Sequence, residues 1–272
     1  MKTMDHRDVR HYWDGNAAAW TALARAGYDI YRDGFNSPGF FAMLPAVDGL
    51  HGLDLGCGEG HNTRLLAARG ARVTALDVSG VFVRAALQYA TQQGLQRCAR
   101  FPRGIAHLQA SAVELPFAAA CFDFIIATMV MMDLPETERA LAEAWRVLRP
   151  GGFLQFSIMH PCFNPPHRRN LRDAHGHSYA IEVGKYFERG SGDVQQWTFS
   201  AAPPEATAGF EPFKVPTFHR TLSEWINTLL RLGFQLEEIQ EPMPDDDMVR
   251  REPALQDAQV VAYFLQIRAR KA

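Results

Sequence analysis

Leu53-Asp54-Leu55-Gly56-Cys57-Gly58-Glu59-Gly60 is the stretch of this chain best suited to hold a ligand by its backbone. Gly56, Gly58 and Gly60 remove the Cβ atoms from a turn that joins an apolar run to a helical one. A bound group can then lie directly on the main chain, beside the amide-rich start of the helix. Farther on, Val73-Thr74-Ala75-Leu76-Asp77 ends a second apolar run in a carboxylate, followed by Val78. An acid at the end of the second strand of a Rossmann-type unit accepts the hydroxyls of a ribose. Together these features predict a cofactor that carries a nucleoside. The nicotinamide fingerprint needs a glycine where this chain has His61, and the G-x-G-x-G spacing found instead argues against a dinucleotide.

Three later runs stand in an order that carries a resemblance. Ser111-Ala112-Val113-Glu114-Leu115-Pro116-Phe117 is similar to a motif usually written G-D-A-x-x-L-P-F. Phe122-Asp123-Phe124-Ile125-Ile126-Ala127 is similar to F-D-x-V-x-x, and Glu143-Ala144-Trp145-Arg146-Val147-Leu148-Arg149-Pro150-Gly151-Gly152 to a helix followed by an L-[KR]-P-G-G turn. With the glycine turn, these runs resemble the class I S-adenosylmethionine-dependent methyltransferases of small-molecule type (methyltransferase domain 11/25-like). The likeness covers residues 46–160 and returns over 219–270. It implies S-adenosyl-L-methionine as cofactor, S-adenosyl-L-homocysteine as product, and no metal. It also implies that Asp54, Gly56, Cys57, Gly58 and Gly60 form the cofactor turn and that Asp77 and Val78 contact the ribose. Ser111, Ala112 and Val113 then meet the adenine, and Thr128 and Met129 line the methyl region after the fourth strand. Ser111 departs from the family pattern, which carries an Asp there. A hydroxyl also accepts a hydrogen bond but bears no charge, so adenine recognition leans on the backbone around Ala112 and Val113.

Transfer of a methyl from a sulfonium needs alignment and exclusion of water more than a strong constellation of side chains. His160, at the end of the predicted fifth strand, is the candidate base and substrate contact, because an imidazole accepts a proton near neutral pH. Tyr28, Tyr31, Met132 and Phe163 are candidate substrate contacts, and Arg32 is placed to close over the cofactor or bind substrate. His160, Cys162, His167, His175 and His177 have no spacing of a known zinc motif.

The elements that must position these residues read as α/β. Apolar runs over 52–55, 71–76, 107–110, 122–127 and 153–159 alternate with helical patterns over 62–69, 80–93 and 136–147. Such alternation predicts a parallel sheet with helices on both faces, and the resemblance raises it to a Rossmann-like sheet of seven mostly parallel strands. Residues 5–31 have aromatic and small apolar residues at helical spacing, with a break expected at 34–39 and a short helix after it. Helix 221–232 follows, capped by Thr221 or Ser223, and 234–239 with 260–267 form an antiparallel hairpin around an acidic loop at 242–247. Residues 161–218 are rich in Pro, Gly, His and aromatics without periodicity, which predicts a long functional loop. The expected organisation is an N-terminal helical cap (1–45), a core (46–160 and 219–272) and an inserted substrate lid (161–218).

The chain has 272 residues, 47 % hydrophobic and 21 % charged, with net charge −2. That is an ordinary globular composition. It lacks the basic footprint of a nucleic-acid partner. It also lacks an apolar run long enough for a membrane span or an apolar signal core near Met1. Cys57, Cys98, Cys121 and Cys162 are widely spaced, as in a reduced cytoplasmic protein. The resulting expectation is a cytoplasmic methyltransferase acting on oxygen or nitrogen of a small apolar or aromatic molecule. An RNA or protein methyltransferase, or a non-catalytic S-adenosylmethionine-binding protein, stays open beside it. The oligomeric state is not given by the sequence.

Overall fold

The computed structural model describes residues 4–95 and 104–272. In chain order the elements are α1 (His6–Arg25), α2 (Ser37–Met43), β1 (His51–Leu55), α3 (His61–Ala68), β2 (Arg72–Asp77), α4 (Gly80–Gln92), β3 (Ala106–Gln109) and β4 (Phe122–Thr128). They continue with α5 (Thr137–Val147), β5 (Leu148–Met159), β6 (His167–Arg172), β7 (Ser178–Gly184), β8 (Asp193–Trp197), α6 (Pro204–Thr207) and β9 (Phe213–Thr217). The chain closes with α7 (Leu222–Arg231), β10 (Phe234–Gln240), α8 (Asp246–Arg251), α9 (Asp257–Val260) and β11 (Phe264–Lys271).

Seven strands form one sheet in the order β10-β11-β5-β4-β1-β2-β3. β1 pairs in parallel with β2 and β4, β2 with β3, and β4 with β5. β11 runs antiparallel to both β5 and β10. The alternation of side chains along each strand splits the core in two. Leu53, Leu55, Ile125, Leu154 and Phe156 pack with Ala140, Leu141 and Ala144 of α5 and Trp225 and Leu229 of α7. Phe124, Ile126 and Val73 face the other way, onto Phe40 and Phe41 of α2 and Leu66 of α3. The sheet is therefore covered on both faces, as expected for apolar strands of this kind. No helix among the described residues is long and apolar enough to cross a membrane.

The structure moves several expected boundaries. α1 ends at Arg25, where Ala26 caps it and Gly27 turns left-handed (φ +86). Gly34 and Gly39 lie inside a continuing helix, a single π turn (Arg32–Asn36) running into α2. Their missing side chains let that helix sit close to Leu255 and Pro242. β5 starts at Leu148, pairing with Phe122 before a bulge. Val260 ends α9 instead of opening a strand, and β11 begins at Phe264. The acidic run at 245–247 is not a free loop. Asp245 caps α8, its carboxylate accepting from the Met248 N–H at 2.7 Å. Thr221 caps α7 in a reciprocal box with Glu224. The largest correction concerns 161–218, which is two β-hairpins, β6–β7 and β8–β9, and not a loop. All of β8 and much of β6 are exposed, so neither carries the alternation that announces a strand.

Candidate active site

Strand order reverses between β1 and β4, and ligands of open α/β sheets bind above the carboxyl ends at such a point. A cavity of about 620 Å³ occupies that place. Its floor is the glycine turn, where Gly56 and Gly58 have φ of +72 and +53. A Cβ on Gly56 would lie 2.3 Å from Val130 Cγ2, whereas one on Gly58 would meet no atom within 4 Å. Gly58 thus leaves a bare stretch of backbone open to the cavity. The N–H groups of Gly56 and Cys57 both donate to Leu76 O, at 2.7 and 2.9 Å, which fixes the turn to β2.

Asp77 ends β2 at the wall. Its Oδ2 accepts from the Gly58 N–H at 2.9 Å and its Oδ1 from the Ser79 N–H at 2.8 Å. Burial pushes this carboxyl up to about 6 in spite of the two bonds. The Ser79 hydroxyl donates to Asp14 Oδ1 at 2.7 Å and so fastens α1 across the cleft. Beside the turn, Glu59 is buried within a cluster of arginines: Arg25 Nε donates to it at 2.9 Å and Arg64 Nη2 at 3.1 Å. Burial works against its charge, but Arg64, Arg25 and Arg32 overcome it and hold Glu59 below the usual carboxylate range. Asp29 is raised to about 6 by burial. Asn62 donates to Thr128 Oγ1 at 2.8 Å, joining α3 to the end of β4. Met129, next along, is a rare non-glycine residue with positive φ (+59) and faces the same space.

Away from the glycine turn the walls become aromatic. Trp13 and Trp20 of α1, Trp197 and Phe199 of the second hairpin, Phe218 and Trp225 line the cavity. Trp20 meets Phe199 edge-on with ring centres 4.9 Å apart and Trp197 at 5.5 Å, so the helix and the hairpin close over the chamber together. Asp133 and Arg220 are among the ionisable residues of this end. Asp133 follows β4, and Arg220 precedes α7, donating to Leu134 O at 2.9 Å and Pro135 O at 2.8 Å. Burial lowers Arg220 to about 10.

Gly56, Cys57, Gly58, Asp77, Val78, Ser111, Ala112, Thr128, Met129, Tyr28, Tyr31, Arg32 and Met132 share the cavity wall. Tyr31 reaches it with its ring stacked on Tyr263 and its hydroxyl donating to Ala254 O at 3.0 Å. Five expected site residues lie off the wall. Asp54 points into the core, where Thr63 Oγ1 donates to it at 2.5 Å. Gly60 packs against Ala86 of α4, and Val113 belongs to the core. His160 is buried with both ring nitrogens engaged. Nδ1 accepts from the Cys162 N–H at 3.2 Å, so Nε2 carries the proton and donates to Glu241 Oε1 at 2.7 Å. No lone pair is left for an acceptor's proton, so His160 is not placed to act as a base, contrary to the sequence expectation. Phe163 packs on its ring at 4.7 Å, outside the cavity.

Glu59, Asn62, Trp13, Trp20, Asp133 and Arg220 are among the wall residues not singled out from sequence as site residues. The tryptophans had a signal in their spacing along α1, while Asp133 and Arg220 had none. Among the described residues no three His, Cys, Asp or Glu side chains gather as metal ligands. Cys57, Cys121 and Cys162 are free thiols, and Cys98 lies outside the described residues.

A family model described as a methyltransferase domain matches residues 53–156, from the start of the glycine turn to the middle of β5. A crystal structure of an S-adenosylmethionine-dependent methyltransferase from Mesorhizobium loti is 27 % identical, with a TM-score of 0.67 over 86 % of this chain and 96 % of that one. Over residues 53–156 the chain carries a methyltransferase domain, and its fold is that of a class I S-adenosylmethionine-dependent methyltransferase. The malonyl-[acyl-carrier protein] O-methyltransferase of Pectobacterium atrosepticum is 34 % identical over 142 residues, 51 % of this chain and 51 % of that protein. The demethylmenaquinone methyltransferase of Thermobifida fusca is 31 % identical over 150 residues, 55 % of this chain and 60 % of that protein. The chain therefore spans about half the length of the first of these relatives.

The wall suits the family's cofactor. S-Adenosylmethionine carries an ammonium, a sulfonium, one carboxylate and a ribose. This end of the cavity offers three carboxylates, Asp29, Glu59 and Asp77, with Arg32 beside them and a side-chain-free backbone at Gly58. Gly56, Cys57 and Gly58 would hold the cofactor's backbone-facing side, Asp77 its ribose hydroxyls, and Ser111 and Ala112 its adenine.

Proposed function

We propose that the protein methylates an oxygen or nitrogen atom of a small apolar or aromatic acceptor. The cofactor supplies, when bound, an electrophilic methyl on a sulfonium whose departure needs no acid. One observation carries the reading: a single cavity runs from the glycine turn and Asp77 to the aromatic chamber under α1 and β8–β9. Cofactor-holding and acceptor-holding groups thus share one cavity, which sets two reactants at short range. In this reading residues 1–45 act as a cap and 161–218 as a lid, with Trp20, Trp197 and Phe199 as the seam between them. Tyr28 and Met132 line the passage between the two ends. A net charge of −2 and an aromatic chamber favour a small molecule over RNA.

The test is transfer of label from methyl-labelled S-adenosylmethionine into separate pools of phenols, amines, carboxylic acids and bulk tRNA. Label entering a small-molecule pool is the expected result. Label entering only tRNA, or tight cofactor binding with no transfer into any pool, would overturn the proposal.

A further inference from the structure

The aromatic end of the cavity holds one buried carboxyl that no described residue neutralises. Asp133 closes a short 3₁₀ turn (Met131–Asp133) just after β4, beside Met132. It lines the cavity while only 6 % exposed. Its main-chain N–H donates to Val130 O at 2.9 Å, but among the described residues no donor reaches its carboxyl and no cation forms an ion pair with it. The turn packs against α5, β5 and β9, and the charged groups of those elements are engaged elsewhere. Glu143 pairs with Arg146 at 2.8 Å, Glu138 with Arg231 at 3.8 Å, Arg139 with Glu136 at 3.3 Å, and Arg149 with Asp123. Lys214 of β9 is exposed. Burial alone pushes Asp133 well above the usual carboxylate range.

A buried carboxyl without a partner is costly, and buried polar groups otherwise find one almost without exception. Here the open side faces a cavity walled by Trp13, Trp20, Trp197 and Trp225, which suits a flat ring. We propose that Asp133 is the group that receives the acceptor's proton, and that the acceptor is a hydroxyaromatic compound whose phenolic O–H points at this carboxyl. The proposal rests on the methyl-transfer reading above. A phenol is a poor nucleophile until it loses its proton, unlike a neutral amine, and an uncharged O–H donor is the partner a desolvated carboxyl lacks. In the step, Asp133 enters ionised: the acceptor O–H bond breaks and its proton passes to the carboxylate, which burial makes the stronger base. The oxygen electron pair forms the new bond to the methyl carbon, and the pair of the old carbon–sulfur bond leaves with sulfur, so atoms and charge balance.

The experiment uses the full chain. Calorimetry first measures S-adenosylhomocysteine binding. Protein saturated with it is then titrated with 1-naphthol, 2-naphthol and 4-phenylphenol, each beside its methyl ether. At least one phenol should bind about 10-fold or more tightly than its ether, a preference that Asp133→Asn should erase. With that phenol as acceptor, Asp133→Asn should lower kcat by about 100-fold or more with KM little changed, and Asp133→Glu should recover part of the loss. A purely structural Asp133 would instead leave kcat within twofold in the Asn variant, and that result overturns the proposal. So does equal binding of phenols and ethers, or binding of neither by protein that holds S-adenosylhomocysteine. Failure to bind S-adenosylhomocysteine at all removes the methyl-transfer reading itself, and this proposal with it.

Discussion

Replacing Asp54 with Asn should stabilise the cofactor-free protein at alkaline pH and leave it unchanged, or slightly weaker, in acid. Asp54 lies within β1 at 1 % exposure. Among the described residues its one side-chain partner is the Thr63 hydroxyl, and no cation pairs with it. Burial raises its carboxyl from 3.8 to about 7, with the nearby Asp77 charge adding to the effect. Below the unfolded value of 3.8 the group is protonated in both states and imposes no penalty. As the pH rises through 3.8 toward 7 the unfolded chain releases its proton first, so the native state loses stability across that window. At about 1.4 kcal/mol per pH unit the full interval amounts to ~4 kcal/mol near pH 8. Asn carries no charge to desolvate, and its carbonyl still accepts the Thr63 bond, though a neutral acceptor is weaker by ~1 kcal/mol. The expected net gain is therefore ~2–3 kcal/mol at pH 8, a rise in Tm of roughly 5–10 °C for a chain of this size. Thermal melts of both proteins between pH 4 and pH 8 without cofactor read it directly. A gain of the same size at both ends of the range, or a loss at pH 8, would refute an ionised, desolvated Asp54.

Three further outcomes follow from the site. Gly58→Arg should abolish cofactor binding in calorimetry while the protein still folds, because the new side chain fills the open space above the turn. Asp77→Ala should weaken S-adenosylhomocysteine binding by ~1–3 kcal/mol. Wild-type affinity should fall as the pH drops below about 6, where Asp77 protonates, and an affinity flat from pH 8 to pH 5 would place the ribose elsewhere. His160→Ala should lower stability by ~1–3 kcal/mol in urea titrations, since Cys162 N–H and Glu241 lose their buried partner. Its kcat should stay within about threefold, and a loss near the 100-fold of general-base removal would restore His160 as the base.

The core strands and the cofactor end of the site were legible in the sequence because both depend on local pattern. Strands β1, β2, β4 and β5 are apolar runs buried on both faces, and the glycine turn and Asp77 sit at fixed places along the first two of them. Short-range constraints of this kind write themselves into neighbouring residues. The aromatic end of the cavity was not legible. Strand β8 is exposed along its whole length and β6 along much of it, so neither leaves an alternation to read. His160 was at the right strand end, yet its direction was set by Cys162 and by Glu241, a residue on the far side of the chain. Asp133 looked like any acid before a helix until packing against β5, β9 and α5 buried its carboxyl away from every charged group of the described residues. The sequence by itself determined the sheet, its glycine cradle and the family of the cofactor, since periodicity and backbone freedom are properties of a few adjacent residues. Only the tertiary structure decided which side chains face the cavity, because burial, tautomer and missing partners arise from contacts between segments far apart in the chain.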